Sequence, residues 1–221
     1  MSSLSLALYC EGNTDRDFLP IIIQRTAQDI LDKRARGYVE ALAVDVIDAN
    51  KQKDGKDILE AAIKTYGYHA LVVHKDADSR TYKETREQCF EPGYLLVQNN
   101  RDIACEYVIP IIPVREVEAW MIADHEILRQ ILVLQERLQN LGLPKRAALV
   151  ENDPDPKITF NKVVSRASKE RRLRISRESL YTTLAEQIRL ERLAQVAAYQ
   201  KFLGELSQVL IELHFIPEEY S

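Results

Sequence analysis

Three short apolar runs divide the first half of the chain. They lie at 4–10, within 70–78, where the run ends in acids, and at 108–114, and they consist mainly of Leu, Val, Ile and Ala. Continuous runs of this length are typical of strands that are buried on both faces of a parallel sheet. Pro110 and Pro113 interrupt the third run, and because proline lacks the amide donor of a central strand, we expect this strand at a sheet edge or near its end.

Amphipathic segments connect these runs. Apolar residues recur every three to four positions, which is the period of a helix with one buried face. We expect Pro20 to start or kink the first of these helices, and residues 91–107 favour neither helix nor strand. The predicted elements are a helix ending at Gly37, a strand at 38–48, helices at 57–66 and 80–90, and a helix from 115 to about 141.

Strand-like patterns stop at Gly142. A proline-containing linker at 152–156 precedes a predicted helix at 157–170, and the leucine-rich remainder predicts one or two further helices. Strands that alternate with helices indicate βαβ units. The sequence therefore predicts an α/β fold with a mostly parallel sheet flanked by helices over 1–141, and an α-helical C-terminal extension over 142–221.

Composition narrows the functional classes. The 221 residues carry a formal net charge of −4, so binding to nucleic acid requires a local basic patch. The three cysteines have no CxxC spacing, which argues against a disulfide framework or a zinc site. The chain shows neither a signal-peptide pattern nor an apolar stretch long enough to span a bilayer, and we therefore expect a cytoplasmic protein without membrane contact.

Acidic residues follow three of the predicted strands. Carboxyl ends of parallel strands meet at one edge of a sheet, where α/β proteins bind ligands. Carboxylates without histidine or thiolate partners favour Mg²⁺ or Mn²⁺ over Zn²⁺, and such ions activate water and hold phosphate groups. The candidate ligands are Glu11, Asp15, Asp76, Asp78, Glu116 and Glu118.

Each of these acids also has a simpler interpretation. Asp15 is also explained as a favourable negative charge in the first turn of a helix, and Glu116 as a capping charge just before a helix. Most DxD sequences such as Asp76-Ala77-Asp78 are solvated turns, although glycosyltransferases use a DxD to hold a nucleotide-sugar. We expect His74 to point into the core rather than to bind a metal.

The acidic motifs resemble those of the Toprim domain, the metal-binding fold of topoisomerases, primases and OLD-type nucleases. Glu11-Gly12 after one strand and Asp76-Ala77-Asp78 after a later one carry this resemblance, and Asp15 sits where OLD-type nucleases have a second acid. The segment Glu116-Val117-Glu118-Ala119-Trp120, with Ala123-Asp124, resembles small stand-alone Toprim-like proteins that are encoded beside ATPases in bacterial anti-phage loci.

The resemblance implies a Toprim-like, Rossmann-type domain and a set of residue roles. Glu11, Asp15, Asp76 and Asp78 would bind divalent metal, and Glu116 and Glu118 would add further acids to the same site. Glu11 and Asp76 would be catalytic, together with Lys157, which would stabilise the transition-state phosphate as a cation does in OLD-type sites. Topoisomerase activity is not implied, because the chain has no nucleophilic tyrosine module.

A basic segment lies within the C-terminal extension. Residues 157–177 hold eight Lys or Arg residues and one acid, Glu170. This is either an ordinary solvated helix face or a surface for the phosphate backbone. Phe160 is the single aromatic residue of the segment, so stacking on single-stranded bases is not indicated. The candidate nucleic-acid-binding residues are Lys162, Arg166, Lys169, Arg171, Arg172 and Arg174.

Two functional hypotheses follow from these patterns. The first is a Mg²⁺- or Mn²⁺-dependent nuclease that hydrolyses DNA or RNA in phage defence. The alternative is a catalytically silent Toprim-like subunit that binds an ATPase partner and is regulated by it, with the leucine-rich C-terminal helices as the docking face. A glycosyltransferase ranks third, because it leaves the Glu11 motif without a role. The sequence leaves open whether the protein forms a homodimer.

Overall fold

A computed structural model describes residues 2–10, 12, 15–78, 81–135, 138–171 and 176–218. The chain forms two compact units that are interleaved along the sequence. The first, here the sheet unit, comprises Met1–Lys75, Lys83–Ile112 and Lys201–Ser221. The second, here the helical unit, comprises Asp76–Tyr82 and Pro113–Gln200. The predicted division at residue 141 stays a prediction.

The strands of the sheet unit pair in parallel, which confirms the predicted α/β class. Two of them form a small sheet in the order β1-β3, and four form the main sheet in the order β4-β2-β5-β6. The strands are β1 (Ser2–Leu4), β2 (Leu6–Cys10), β3 (Val39–Ala41), β4 (Asp45–Ile47), β5 (Ala70–His74) and β6 (Val108–Ile111). All residues of β2 and β5 are buried, as expected for the central strands of a sheet covered on both faces.

The first helix of the sheet unit is α1 (Asp15–Arg34), and it contributes a buried apolar face to the core of this unit. Pro20 lies inside this helix, so of the two alternatives a start at Pro20 is wrong, whereas a kink there stays a prediction. The next helix is α2 (Lys56–Lys64), which closely matches the prediction. A helical stretch follows that includes a π-helical turn at Arg86–Phe90, flanked by α3 (Tyr82–Thr85) and α4 (Glu91–Gln98).

The single strand predicted at 38–48 is in fact two strands, β3 and β4. The two strands join different sheets, because β3 pairs with β1 and β4 pairs with β2. Side chains of α1 take the backbone hydrogen bonds of the last residue of β3. The amide of Ala41 donates to Gln28 Oε1 over 2.8 Å, and Gln24 Nε2 donates to the Ala41 carbonyl over 3.0 Å. Strand β6 is an edge strand with Pro110 inside it, as predicted.

The long helix predicted from 115 to about 141 is wrong, and the described part of this stretch holds two short α-helices and a 3-10 helix at Leu138–Leu141 instead. The α-helices are α5 (Glu118–Met121) and α6 (His125–Leu132). Asp124 caps the start of α6 by accepting a hydrogen bond from the amide of Ile127. Val133, with φ of 54°, turns the chain out of the helix at its other end.

Helices make up most of the rest of the helical unit. The helix predicted at 157–170 is confirmed, and the one or two helices predicted beyond it are three. The helices are α7 (Pro156–Arg171), α8 (Arg177–Gln187), α9 (Leu190–Leu193) and α10 (Ala197–Glu212), whose residues from Lys201 onward belong to the sheet unit. No helix within the described part of the chain is both long and apolar enough to cross a membrane.

Candidate functional site

The carboxyl end of the sheet carries one of the predicted metal ligands. Asp15 opens α1 and is buried, with Oδ2 lying 3.3 Å from Nδ1 of His74 at the end of β5. His74 is 1% exposed, which confirms that its side chain points into the protein. Glu11, the first residue of the predicted site, lies outside the described residues.

Gly12 is required where Asp15 approaches the loop. A Cβ atom at position 12 would stand 2.3 Å from Asp15 Oδ2, which is closer than real Cβ contacts. The absence of a side chain therefore lets the Asp15 carboxylate lie against the backbone at the end of β2. Burial, together with the charge of Asp15, raises the pKa of the neighbouring Cys10 thiol to about 12, so this cysteine is protonated at neutral pH.

The opposite face of the sheet holds a buried ion pair that sequence reasoning missed. Asp57, in the first turn of α2, is 1% exposed and accepts contacts from Lys75 Nζ at 2.6 Å and Tyr9 Oη at 3.2 Å. Side chains alternate along a strand, so β5 and the residue after it send His74 to the α1 side and Lys75 to the α2 side. The alternation was readable from the sequence, whereas the position of Asp57 was not.

In the helical unit, the DxD segment lies beside the segment that precedes Glu116. The amide of Ala77 donates to the carbonyl of Pro113 over 3.1 Å, and the amide of Asp78 donates to the carbonyl of Arg115 over 3.2 Å. Ala77 is buried, Asp76 is half-buried and Asp78 is exposed. The backbone turns at Asp78, where φ is 53°, so the chain is not extended at this residue.

Lys157 stands at the centre of the acidic groups of the helical unit. Its Nζ lies 3.6 Å from Oε1 of Glu116 and 3.9 Å from Oε1 of Glu118. The charge of Glu118 is the main cause that raises the pKa of Lys157; burial opposes the shift, while Glu116 and Asp76 reinforce it. Three predicted acids and the predicted catalytic lysine are therefore neighbours, and Lys157 remains a cation at neutral pH.

The local structure explains how Lys157 is positioned. Asp155 accepts a hydrogen bond from the amide of Ile158 over 2.8 Å and thereby caps α7 just before Lys157. Phe160 anchors the next turn by packing edge-on against Tyr181, with 5.6 Å between the ring centroids. The carboxylate of Glu118 is 4% exposed, whereas the Lys157 side chain is about half exposed.

Asp124, which belongs to the segment that resembles stand-alone Toprim-like proteins, forms an internal ion pair. Arg189 donates to both carboxylate oxygens of Asp124, from Nε and from Nη2, over 2.7 Å each. Burial alone would raise the pKa of Asp124, but the hydrogen bonds from Arg189 outweigh it and lower this pKa. Asp124 is 1% exposed, and this paired geometry indicates a structural role.

The basic residues predicted to bind nucleic acid form a stripe on α7. Lys162, Arg166 and Lys169 lie on its exposed side and line an open hollow of about 540 Å³ together with Ile158. Arg166 is paired with Glu170, at 2.8 Å. Of the remaining predicted contacts, Arg172 and Arg174 lie outside the described residues, and so does the side chain of Arg171.

The predicted metal ligands divide between the units. Asp15 belongs to the sheet unit, whereas the other described acids belong to the helical unit. Among the described residues, no group of three or more His, Cys, Asp or Glu side chains has the arrangement of a metal site. The ligand set stays a prediction, because Glu11 is not among the residues compared. The described acids of the helical unit are Asp76, Asp78, Glu116 and Glu118.

Most of the apolar residues that predicted the leucine-rich C-terminal helices are buried within the protein. Seven of the residues whose spacing predicted these helices are buried in the chain's own core, so they do not form an exposed docking face. These residues are Leu180, Leu184, Ile188, Leu193, Val196, Leu206 and Leu210.

Comparisons with protein-family models, with curated proteins and with solved structures found no match to this chain.

Proposed function

We propose that this chain is a Toprim-like nuclease of the OLD type that hydrolyses phosphodiester bonds with Mg²⁺ or Mn²⁺. The observation that carries the proposal is the grouping of Lys157 with Asp76, Glu116 and Glu118. A cation beside several carboxylates suits a reaction in which metal and lysine together neutralise the charge that develops on a phosphate. The place of this activity in phage defence rests on the sequence resemblance, as does the alternative of a catalytically silent subunit that binds an ATPase partner and is regulated by it.

The donor set fits a hard divalent cation. Every proposed ligand is a carboxylate oxygen, the donor that Mg²⁺ and Mn²⁺ prefer. The sequence resemblance assigns Glu11, Asp15, Asp76 and Asp78 to the metal, with Glu116 and Glu118 as further acids. When bound, the metal would supply an activated water and charge compensation at the phosphate.

Lys157 serves as the electrostatic partner of the phosphate in this proposal. A lysine with a raised pKa cannot accept a proton at neutral pH, so it acts through its charge rather than as a general base. The stripe of Lys162, Arg166 and Lys169 on the same helix would hold the nucleic-acid backbone. Helix α7 would thus contribute both to substrate binding and to the chemistry.

A cleavage assay with matched variants tests the proposal. Labelled DNA and RNA, single- and double-stranded, are incubated with wild type, Asp76→Asn, Glu118→Gln and Lys157→Met in Mg²⁺ or Mn²⁺. We expect each substitution to slow cleavage by about 100-fold or more while the melting temperature changes little. Glu178→Gln is the control, because Glu178 is an exposed acid on α8 of the same unit.

Metal binding is measured separately through the single tryptophan of the chain. Trp120 is fully buried and lies two residues after Glu118, so its fluorescence reports on this part of the helical unit. We expect Mn²⁺ to quench the Trp120 fluorescence with a saturating binding curve in wild type and in Glu178→Gln. In Glu118→Gln we expect a much weaker affinity for Mn²⁺. Absence of both cleavage and metal binding in wild type would favour the silent-subunit hypothesis.

A further inference from the structure

Two neighbouring segments of the helical unit carry the predicted metal-binding acids, and each contains one non-glycine residue with a left-handed backbone conformation. Asp78 has φ of 53° and Arg115 has φ of 73°. The hydrogen bond from the amide of Asp78 to the carbonyl of Arg115 joins them directly. Aspartate tolerates this conformation, but arginine does so at an energetic cost that glycine would avoid. Such backbone strain concentrates at functional sites.

The side chain of Arg115 is not committed to an ion pair with the described acids. Among the described residues, its one side-chain hydrogen bond is from Nη1 to the carbonyl oxygen of Asp78, at 3.4 Å. The residue is half-buried and directly precedes Glu116. A guanidinium group carries five donors in a planar fork that matches two oxygens of a phosphate. Most of these donors therefore have no described partner within the protein.

We propose that Arg115 is a phosphate-binding residue of this site, where its guanidinium donates to the non-bridging oxygens of the phosphodiester. The inference rests on the proposed function and adds a residue that the sequence motifs did not indicate. The left-handed backbone turns the chain between Arg115 and Glu116. These consecutive residues can therefore bind different groups, the arginine the phosphate and the acid the metal. The paired turn at Asp78 fixes the position of this segment.

A strain-matched pair of variants tests the role of Arg115. Arg115→Gly removes the guanidinium and suits the backbone, and Val133→Gly relieves the same kind of strain at an exposed residue with φ of 54°. Affinity for fluorescein-labelled DNA and RNA, single-stranded and duplex, is measured in Ca²⁺ by anisotropy at several salt concentrations. We expect Arg115→Gly to weaken binding by about 10- to 100-fold and to lower the slope of log affinity against log salt by about one.

The melting temperature distinguishes a phosphate-binding role of Arg115 from a purely structural role in holding Arg115 to Asp78. We expect Arg115→Gly to melt at or above the wild-type temperature, as Val133→Gly does, because both relieve backbone strain. A tether between Asp78 and Arg115 would instead make Arg115→Gly less stable. Arg115→Lys should keep the salt slope but lose affinity, because an ammonium lacks the planar fork.

The outcomes distinguish this inference from the proposed function. If wild type binds nucleic acid and Arg115→Gly binds like Val133→Gly, Arg115 has no phosphate role, whereas the nuclease proposal survives. If wild type binds but does not cleave in Mg²⁺ or Mn²⁺, and Arg115→Gly still loses affinity and salt slope, the nuclease proposal fails and the phosphate role of Arg115 stands. Failure of wild type to bind any of the four nucleic acids would overturn both.

Discussion

The Nζ atom of Lys157 lies 3.9 Å from Oε1 of Glu118, a carboxylate that is only 4% exposed. The charge of Glu118 raises the pKa of Lys157 above its ordinary value of 10.5, against the opposing effect of burial. A raised pKa in the folded state stabilises the protein below the unfolded pKa, and this stabilisation is lost as the pH rises through the folded value.

We therefore predict that Lys157→Met lowers the melting temperature by a constant amount from neutral pH to about pH 10. Above that pH the difference from wild type should shrink as Lys157 loses its proton. The destabilisation should stay below about 1 kcal/mol, because the lysine side chain is about half exposed. Thermal melts across this pH range measure the effect, with Lys162→Met as the control. A difference that already closes at neutral pH would contradict the assignment.

Gly12→Ala should disturb Asp15 without unfolding the protein. The added Cβ would meet the Asp15 carboxylate at 2.3 Å, and this flexible group can swing away. If Asp15 is a metal ligand, we expect Mn²⁺ affinity to fall by about 10- to 100-fold, the range seen when groups that position ligands are changed. Gly37→Ala is the matched control, since a Cβ there meets nothing within 4 Å. Equal metal affinity in both variants would remove Asp15 from the ligand set.

Arg189→Ala should destabilise the helical unit by about 2–3 kcal/mol, because it leaves the buried Asp124 carboxylate without its main partner. This value is below the full range for buried pairs, since one third of the Arg189 side chain is exposed. Urea denaturation measures the change. Arg192→Ala, which removes only a 3.8 Å contact to Glu126, should cost less than about 0.5 kcal/mol.

The same pair sets an acid limit on stability. The pKa of Asp124 is below its ordinary value of 3.8, so its contribution is present above that pH and is lost as the pH falls through the folded value. The difference between wild type and Arg189→Ala should therefore persist down to about pH 5 and close below about pH 4. A difference independent of pH throughout this range would show that the ion pair is not its source.

Two glycines allow the strain of a turn to be separated from close packing. Gly55 precedes α2 with φ of 75°, and a Cβ there would stand 2.1 Å from the backbone nitrogen of Gly93. Gly67 has φ of 94° but open space around the position of a Cβ. We expect Gly67→Ala to cost about 1 kcal/mol and Gly55→Ala about 1–3 kcal/mol more. Equal values in urea denaturation would mean that the approach of Gly55 to Gly93 relaxes freely.

The sequence was sufficient for elements that a local pattern determines. The buried run at β5 and the edge position of β6 followed from apolar periodicity and Pro110. Breaks that depend on distant partners were not readable. The gap between β3 and β4 follows Ala41, to whose carbonyl Gln24 of α1 donates a hydrogen bond and from whose amide Gln28 of α1 accepts one.

The same reason limits prediction of the site. The linker at 152–156 indicated that a helix starts after it, and the structure confirms this start and shows that Asp155 caps the helix beside Lys157. Asp124, where the predicted long helix is interrupted, is held by Arg189, which is 65 residues away and unrelated by any motif. Arg115 gave no signal either, because a left-handed backbone angle at an arginine has no counterpart in composition or periodicity.

The end of β5 also restricts which changes in chain length the protein tolerates. His74 and Lys75 meet acids on opposite faces of the sheet, Asp15 and Asp57, and β5 is held in register with β2 by the pairing of Cys10 with His74. Inserting one residue into β5 would exchange the two faces and set an ammonium against the α1 side and an imidazole against the α2 side. Point substitutions along β5 should therefore be easier to accommodate than a single-residue insertion or deletion within this strand.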